Sequence, residues 1–345
     1  MGAAQGWSPI ERARVARRGL IVGKFYPPHR GHKYLIDSAR ARVDELWVIV
    51  CSKPEHVPSG ELRAAWLREI HPDVRVVLIN DKLDADDSRV WAENSIRWLG
   101  FAPEVVFTSE DYGERFAHYL GSEHVLVDQA RAAVPISGTR VRADPFGCWE
   151  FLEPPVRAFY AKRVCLVGAE STGKSTLARA LARRFHTVWA PEYGREYSEL
   201  KLAADGAYHW TAEDFAHIAQ TQCALEDAAA RHADKVLICD TDAFATAVWH
   251  RRYLGRRSAE VEAIAASHRR PDLYLLTDID TPFVQDGTRD GELIRDWMHQ
   301  TFIEELTAQG RPFRRLTGSF RERLRAASGH VIELMNGERV GEASS

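Results

Sequence analysis

Near the middle of the chain, the apolar run Val164–Val167 leads straight into Gly168-Ala169-Glu170-Ser171-Thr172-Gly173-Lys174-Ser175, and a helix-forming stretch follows over Lys174–Phe185. This is the GxxxxGK[ST] pattern between the strand and the helix that it requires. Its glycines let backbone N–H groups close on phosphate oxygens at a helix amino terminus, while Lys174 reaches the β- and γ-phosphates and Ser175 can ligate Mg²⁺. A segment of this kind commits its part of the chain to an α/β sheet that binds a nucleoside triphosphate, and it leaves the second substrate open.

At 345 residues the chain is long enough for two cores. Short apolar runs over Leu20–Phe25, Glu45–Cys51, Val74–Ile79, Glu104–Thr108 and His124–Val127 alternate with amphipathic stretches, which predicts a Rossmann-like parallel sheet before the P-loop domain. A second set of strands is expected at Arg163–Val167, Thr187–Ala190, Val236–Cys239, Leu273–Leu276 and Phe313–Leu316, with helices over Ala212–Arg231 and Gly291–Ala308. Periodicity lapses in DPFGCWEFLEPP around Asp144–Pro155, which reads as a hinge. The expected organisation is an extension at 1–18, a first domain at 19–150, a second at 151–330 and a tail at 331–345.

Charge and cysteine content narrow the partners. With 46 basic and 49 acidic residues there is no global field for nucleic acid or anionic lipid. No apolar stretch is long enough to span a bilayer, and Met1–Gly19 lacks the apolar centre of a secretory signal, so a cytoplasmic protein acting on small molecules is expected. Self-association into a homo-oligomer stays open. Of the five cysteines, Cys51, Cys165 and Cys239 lie in apolar runs and read as reduced core residues; the absence of a CxxC pair gives no support to a zinc site.

Around the second expected strand set, Asp240-Thr241-Asp242 ends an apolar run as in a Walker B site, with Asp240 toward magnesium and Asp242 toward the acceptor; strand-end capping is the alternative. Glu192, Tyr193 and Arg195 stand where small-molecule kinases recognise an acceptor. Asp286–Gly291 could form a lid, with Arg289 and Arg295 closing on the transferred phosphoryl group. A neutral hydroxyl acceptor needs an acidic group nearby, and both Glu192 and Asp240 qualify.

In the first half, Gly23-Lys24-Phe25-Tyr26-Pro27-Pro28-His29-Arg30-Gly31-His32 follows strand one, with a helix expected from about Lys33. Two histidines on one turn can donate hydrogen bonds to triphosphate oxygens, and Gly31 lets the backbone come close. Ile136-Ser137-Gly138-Thr139-Arg140-Val141-Arg142 lies after the fifth strand and adds hydroxyls and an arginine suited to a second phosphate clamp. Trp91 and Trp98, with Asn94 between them, are seven residues apart on an expected helix. Such a pair serves either a core stripe or a stacking surface, with Trp91 and Asn94 as the pocket candidates.

GKFYPPHRGH resembles the GxFxPxHxGH signature of the nucleotidyltransferase superfamily, and ISGTRVR resembles its ISSTxxR partner, with Gly138 replacing the second serine. An adenylyltransferase of this type fused to a P-loop kinase is similar to the bifunctional NadR-like proteins, over about Gly19 to Leu316. EYGRE at Glu192–Glu196 and DTD at Asp240–Asp242 also look like that family's kinase half. The resemblance implies nicotinamide-mononucleotide adenylyltransferase and ribosylnicotinamide kinase activities, with ATP as co-substrate, Mg²⁺ as cofactor, and nicotinamide riboside, NMN and NAD as the other small-molecule partners. It implies that His29, His32, Ser137, Thr139 and Arg142, with Gly23, Lys24 and Phe25, bind and activate ATP for adenylyl transfer. Gly168, Glu170, Ser171, Thr172, Gly173, Lys174, Ser175, Thr176 and Arg289 would hold ATP in the kinase, Ser175 and Asp240 being its metal ligands. Some family members carry an amino-terminal helix-turn-helix; only Met1–Arg18 precede strand one, so direct transcriptional control is not expected. The rival readings are a different HxGH adenylyl- or cytidylyltransferase fused to a kinase, and a nucleotide-sensing regulator.

Overall fold

The computed structural model describes residues 17–82, 87–205, 209–285 and 291–337. Ten strands and thirteen helices are assigned among them. The chain divides into two compact units, Met1–Val156 and Arg157–Ser345.

The first unit alternates strand and helix: β1 Arg18–Gly23, α1 Arg30–Arg40, β2 Glu45–Ser52, α2 Gly60–Ile70, β3 Arg75–Asn80, α3 Ser88–Leu99, β4 Val105–Thr108, α4 Gly113–Leu120, β5 Glu123–Leu126 and α5 Gly138–Ala143. All neighbouring strands pair parallel, in the order β3-β2-β1-β4-β5. Successive residues face opposite sides of a strand, so Ile21, Val48, Val50 and Phe107 build one core with Ile36 and Leu67. Leu20, Ile49 and Val106 build the other with Phe116 and Ala117. Because both faces are covered, the strands read as unbroken apolar runs rather than as alternations. The order reverses at β1, which lies between β2 and β4, and this opens a crevice beyond the carboxyl end of β1.

The stretch Asp144–Pro155, expected to be a hinge, is folded. It contains a 3-10 turn at Trp149–Phe151 and begins α6 Pro154–Tyr160. Cys148, Trp149, Leu152 and Val156 are buried, so apolar anchoring overrides the loop character of its prolines and glycine.

The second unit comprises β6 Lys162–Val167, α7 Lys174–Arg184, β7 Trp189–Ala190, α8 Tyr193–Asp205, α9 Ala212–Ala230, β8 Val236–Asp240, α10 Ala243–Leu254, α11 Ala259–Ser267, β9 Leu273–Thr277, α12 Arg295–Ala308, β10 Phe313–Leu316 and α13 Phe320–Met335. Its strands are also parallel, in the order β10-β9-β6-β8-β7. Val164, Leu166, Ile238 and Leu275 pack on α7 and α13 through Leu177, Leu181, Ala327 and Val331. On α9, α10 and α11, Phe215, Ala219, Ala243 and Val261 form a second apolar cluster.

Local chemistry shifts several expected boundaries. The first strand stops at Gly23 rather than Phe25, because Phe25 turns away with φ 46. The first helix starts at Arg30, not Lys33, since His29 caps it. The seventh strand is only Trp189–Ala190, and the helix expected from Gly291 starts at Arg295 after a turn at Glu292–Ile294. Among the described residues all five cysteines are free, and Cys51, Cys148, Cys165 and Cys239 are buried. No described helix is long and apolar enough to cross a membrane.

Candidate active sites

In the first unit a cavity of about 810 Å³ lies beyond β1 and gathers Gly23, Lys24, Phe25, His29, His32, Ser137, Thr139 and Arg142 with Trp91. The turn after β1 is fixed from within. His29 Nδ1 accepts the His32 N–H at 3.3 Å, which makes His29 the N-cap of α1 and leaves Nε2 to carry the proton of the neutral ring. The two imidazoles stack with centroids 3.7 Å apart. A Cβ on Gly31 would stand 3.0 Å from the His29 ring, so the motif's glycine keeps the pair close. Burial, reinforced by the Arg131 guanidinium, lowers His29 to about 4. Burial and His29 push His32 well below the usual imidazole range. Both rings are therefore neutral N–H donors near neutral pH.

The second turn of this cavity is built on α5. Ser137 Oγ caps α5 by accepting the Arg140 N–H at 3.2 Å, and Thr139 Oγ1 accepts from Arg142 at 3.2 Å. Arg142 also donates to the Tyr26 carbonyl at 2.5 Å and lies 4.5 Å over the Tyr26 ring. This close approach explains Gly138, where a Cβ would sit 2.5 Å from the same carbonyl oxygen.

Two basic residues were not anticipated. Arg131 lines the cavity from a turn held by Asp128, whose carboxylate accepts the Ala133 and Val134 N–H groups. Arg63 is fully buried and donates to the carbonyls of Lys24, Pro58 and Cys51 and to Ser52, pinning the chain segments that leave β1 and β2. An arginine at this spacing on α2 looks like an ordinary surface residue, and only the fold reveals its carbonyl partners.

Asn94 corrects the sequence reading. Its amide donates to Val90 O at 2.8 Å and its oxygen accepts from Arg97, so it serves its own helix and does not line the cavity. Trp91 does line the cavity, and it meets Trp98 edge-on at 5.9 Å while packing on the apolar cluster around Phe116.

In the second unit a cavity of about 420 Å³ lies beyond β6 and β8 and is lined by Glu170, Ser171, Thr172, Gly173, Lys174, Ser175 and Thr176, with Glu192, Arg195 and Asp240. Gly168 has φ +141, and a Cβ there would lie 2.6 Å from Thr277 Oγ1 and 2.8 Å from its carbonyl oxygen. The loop can therefore close only on glycine at this point. Thr172 Oγ1 braces the turn through Ala169 O at 2.8 Å and Thr277 Oγ1 at 2.7 Å. Arg323 on α13 holds it from behind by donating to Thr172 O at 2.8 Å. Lys174 Nζ lies inside the turn, donating to the Gly168 and Ala169 carbonyls at 2.9 and 2.8 Å.

Asp240 ends β8 in a buried position. Burial raises its carboxyl, while the hydroxyl of Ser175 and the charge of Lys174 draw it down. Its Oδ1 is buried without a hydrogen-bond partner. Glu192, just before α8, is raised to about 7 by burial and by the neighbouring Asp240 carboxylate. Burial lowers Lys174, against the pull of Glu192 and Asp240. A carboxyl held near neutrality beside a phosphate loop is suited to accept a proton.

Trp189 on β7 lines the cavity, and four further aromatic residues complete its wall: Trp210, Phe215, Trp249 and Tyr253. They come from the segment just before α9, its first turn and the last two turns of α10, which no local motif links. Gln222 also lines the cavity and joins its parts: its oxygen accepts the Tyr193 N–H at 3.0 Å, and its amide donates to Glu226 at 3.4 Å.

Three further sequence expectations are corrected here. Tyr193 turns away from the cavity, placing its hydroxyl 3.1 Å from His217 and its ring among Tyr197 and His217. Asp242 is not among the residues that line the cavity. It caps α10 through the Ala245 N–H at 2.9 Å and accepts from the Tyr274 hydroxyl at 2.6 Å, the capping alternative that the sequence allowed. Arg295 lies outside the cavity lining and donates to Thr281 O at 2.9 Å. Arg289 and the lid expected at Asp286–Asp290 lie outside the described residues. Among the described residues no three His, Cys, Asp or Glu side chains converge on a metal position.

Comparison with known proteins agrees with this division. Residues 20–144 match the cytidylyltransferase-like family model, and residues 163–323 match an AAA domain model. The trifunctional NAD biosynthesis/regulator protein NadR of Escherichia coli (strain K12) is 34% identical over 294 residues, covering 79% of this chain and 71% of that protein. A crystal structure of NadR protein in complex with NR superposes with a TM-score of 0.75 at 22% identity, covering 95% of this chain and 98% of that one. A second, of NadR protein in complex with NAD and AMP-PNP, superposes at 0.72 and 21% identity, covering 96% and 99%.

Proposed function

Since the chain belongs to the NadR family, we propose that it makes NAD from nicotinamide riboside in two ATP-consuming steps, one in each unit. The observation that carries this reading is the presence, in one chain, of two cavities beyond the carboxyl ends of two parallel sheets, each lined by a glycine-bearing turn suited to phosphate.

In the second unit the riboside 5′-oxygen attacks the γ-phosphorus of ATP; the new P–O bond forms as the bond to the β-phosphate bridge breaks, giving NMN and ADP. Glu192, with its carboxyl near 7, takes the hydroxyl proton. Lys174 exchanges loop carbonyls for β- and γ-oxygens, and the backbone of Gly168–Gly173 surrounds the triphosphate. The aromatic wall of Trp210, Phe215, Trp249 and Tyr253 receives the flat pyridinium ring. Ser175 and Asp240, whose Oδ1 is buried without a hydrogen-bond partner, fit Mg²⁺ and would be the residues that hold it. When bound, the ion neutralises charge on the β- and γ-phosphates.

In the first unit an NMN phosphate oxygen attacks the α-phosphorus of a second ATP and pyrophosphate leaves. The attacking oxygen is already anionic, so no base is required. His29 and His32 donate neutral N–H groups to the triphosphate, while Arg142 and the Ser137–Thr139 turn hold the departing phosphates. Trp91 stands at the cavity edge as a stacking surface for nicotinamide. The reading describes a cytoplasmic enzyme of small molecules, with neither nucleic acid nor membrane among its partners.

Purified chain given nicotinamide riboside and MgATP should release NMN and then NAD. Accumulation of NMN alone would point to a first unit with another substrate, and bound nucleotide without product would point to a sensor.

A further inference from the structure

Glu170 is an odd residue for a phosphate loop, because a carboxylate there opposes the anions that the loop gathers. In this fold it is neutralised: Glu170 Oε1 accepts from Arg252 at 2.9 Å, and the side chains are only 16% and 6% exposed. Glu170 Oε2 accepts the Gly291 N–H at 2.8 Å, and a Cβ on Gly291 would stand 2.5 Å from that oxygen. Arg252 belongs to the last turn of α10. Its guanidinium lies 4.3 Å over the Tyr253 ring and 5.2 Å from that of Trp249, and it donates to the Tyr253 hydroxyl at 2.9 Å. Trp249 and Tyr253 are themselves stacked at 27° and both line the kinase cavity.

We propose that Glu170 and Arg252 form a positioning pair for the kinase step, fastening the phosphate loop to the aromatic wall that receives the acceptor base. The inference rests on the kinase reading above and deepens it. A planar guanidinium fits this place because one edge engages the carboxylate while its face covers two rings, which a lysine ammonium cannot reproduce. The distance between the acceptor ring and the γ-phosphate is then set by one buried ion pair rather than by two independently moving elements. Glu170 lines the cavity, but both its carboxylate oxygens are engaged, by Arg252 and by the Gly291 N–H, so the pair acts on the substrates through the elements it joins rather than as the ATP-holding group expected from the sequence.

The test is a double-mutant cycle on the full chain, with Glu170→Gln, Arg252→Gln and their combination, plus Arg252→Lys. Apparent KM for riboside, KM for ATP and kcat are measured, and adenylyl transfer from NMN by the same preparations reports an intact first unit. Each single change should raise the riboside KM about tenfold, the loss expected for one charged hydrogen bond, with a much smaller change in the ATP KM. The double variant should be no worse than the poorer single one, and Arg252→Lys should recover only part of the loss. Unchanged riboside KM, or single effects that multiply in the double variant, would overturn the pair. If Arg252→Gln loses the melting transition of its unit, Glu170→Gln decides alone, because the isosteric amide can still accept the Gly291 N–H. A wild type that does not phosphorylate the riboside overturns the functional reading and this inference with it; a wild type that turns over beside unchanged variants overturns only the pair.

Discussion

The proton acceptor of the kinase step should impose an acid limb on that step alone. Burial and the Asp240 carboxylate hold Glu192 at about 7, against the opposing charges of Lys174 and Arg195. A carboxyl of that strength is about one-tenth ionised at pH 6 and about nine-tenths at pH 8, so kcat/KM for riboside should climb roughly tenfold across that interval and then level off. The sign follows from the raised value: the reactive, deprotonated form is lost as pH falls through 7. An ordinary glutamate would be fully ionised throughout and would give a flat profile. Adenylyl transfer is the control within the same molecule, since burial keeps His29 near 4 and neither histidine titrates in this range. It should change no more than about twofold, from the second ionisation of the NMN phosphate near 6. Coupled assays for ADP and for pyrophosphate, at saturating MgATP, separate the two steps. Glu192→Gln should remove the limb and lower kcat by roughly 10²- to 10⁴-fold. A kinase profile that is flat from pH 6 to 8, or a Glu192→Gln variant with unaltered kcat, would refute the assignment.

Other variants probe the remaining parts. Lys174→Ala should abolish riboside phosphorylation and spare NAD formation from NMN, and His32→Ala should do the reverse; loss of both activities in one folded variant would contradict separate sites. Gly138→Ser forces a Cβ toward the Tyr26 carbonyl at 2.5 Å, which should cost about 1–3 kcal/mol of stability in calorimetric melting and weaken adenylyl transfer while leaving the kinase intact. Arg131→Ala removes a cation from the rim of the first cavity and should lower kcat/KM for adenylyl transfer about tenfold or more, with riboside phosphorylation unchanged.

The sheets were legible because both are covered on two faces, so each strand is a continuous apolar run such as Ile49–Cys51 or Val164–Val167. The glycine turns after β1 and β6 were legible because close backbone approach demands glycine at fixed places, as Gly168 shows against Thr277. What sequence could not supply was the direction of side chains whose competing partners are distant. Asp242 and Asn94 carry the right chemistry for a pocket, yet the first is claimed by the α10 amino terminus and Tyr274, the second by the Val90 carbonyl. Tyr193 is adjacent to Glu192 but points to His217, because neighbouring residues at a helix start project to different sides. The aromatic wall escaped notice for the opposite reason: Trp210, just before α9, and Tyr253, on α10, are 5.2 Å apart in space but far apart in the chain, so no short window contains both. Arg63 and Arg323 were invisible for the same cause, their carbonyl partners being assembled from separate segments of the chain.

The central claim is that one chain holds two independent triphosphate sites. Isothermal titration of a non-hydrolysable ATP analogue with Mg²⁺ into the full chain should saturate at two equivalents per chain, falling to one in Lys174→Ala and to the other one in His32→Ala. A single equivalent for the wild-type chain, or loss of both in either variant, would contradict it.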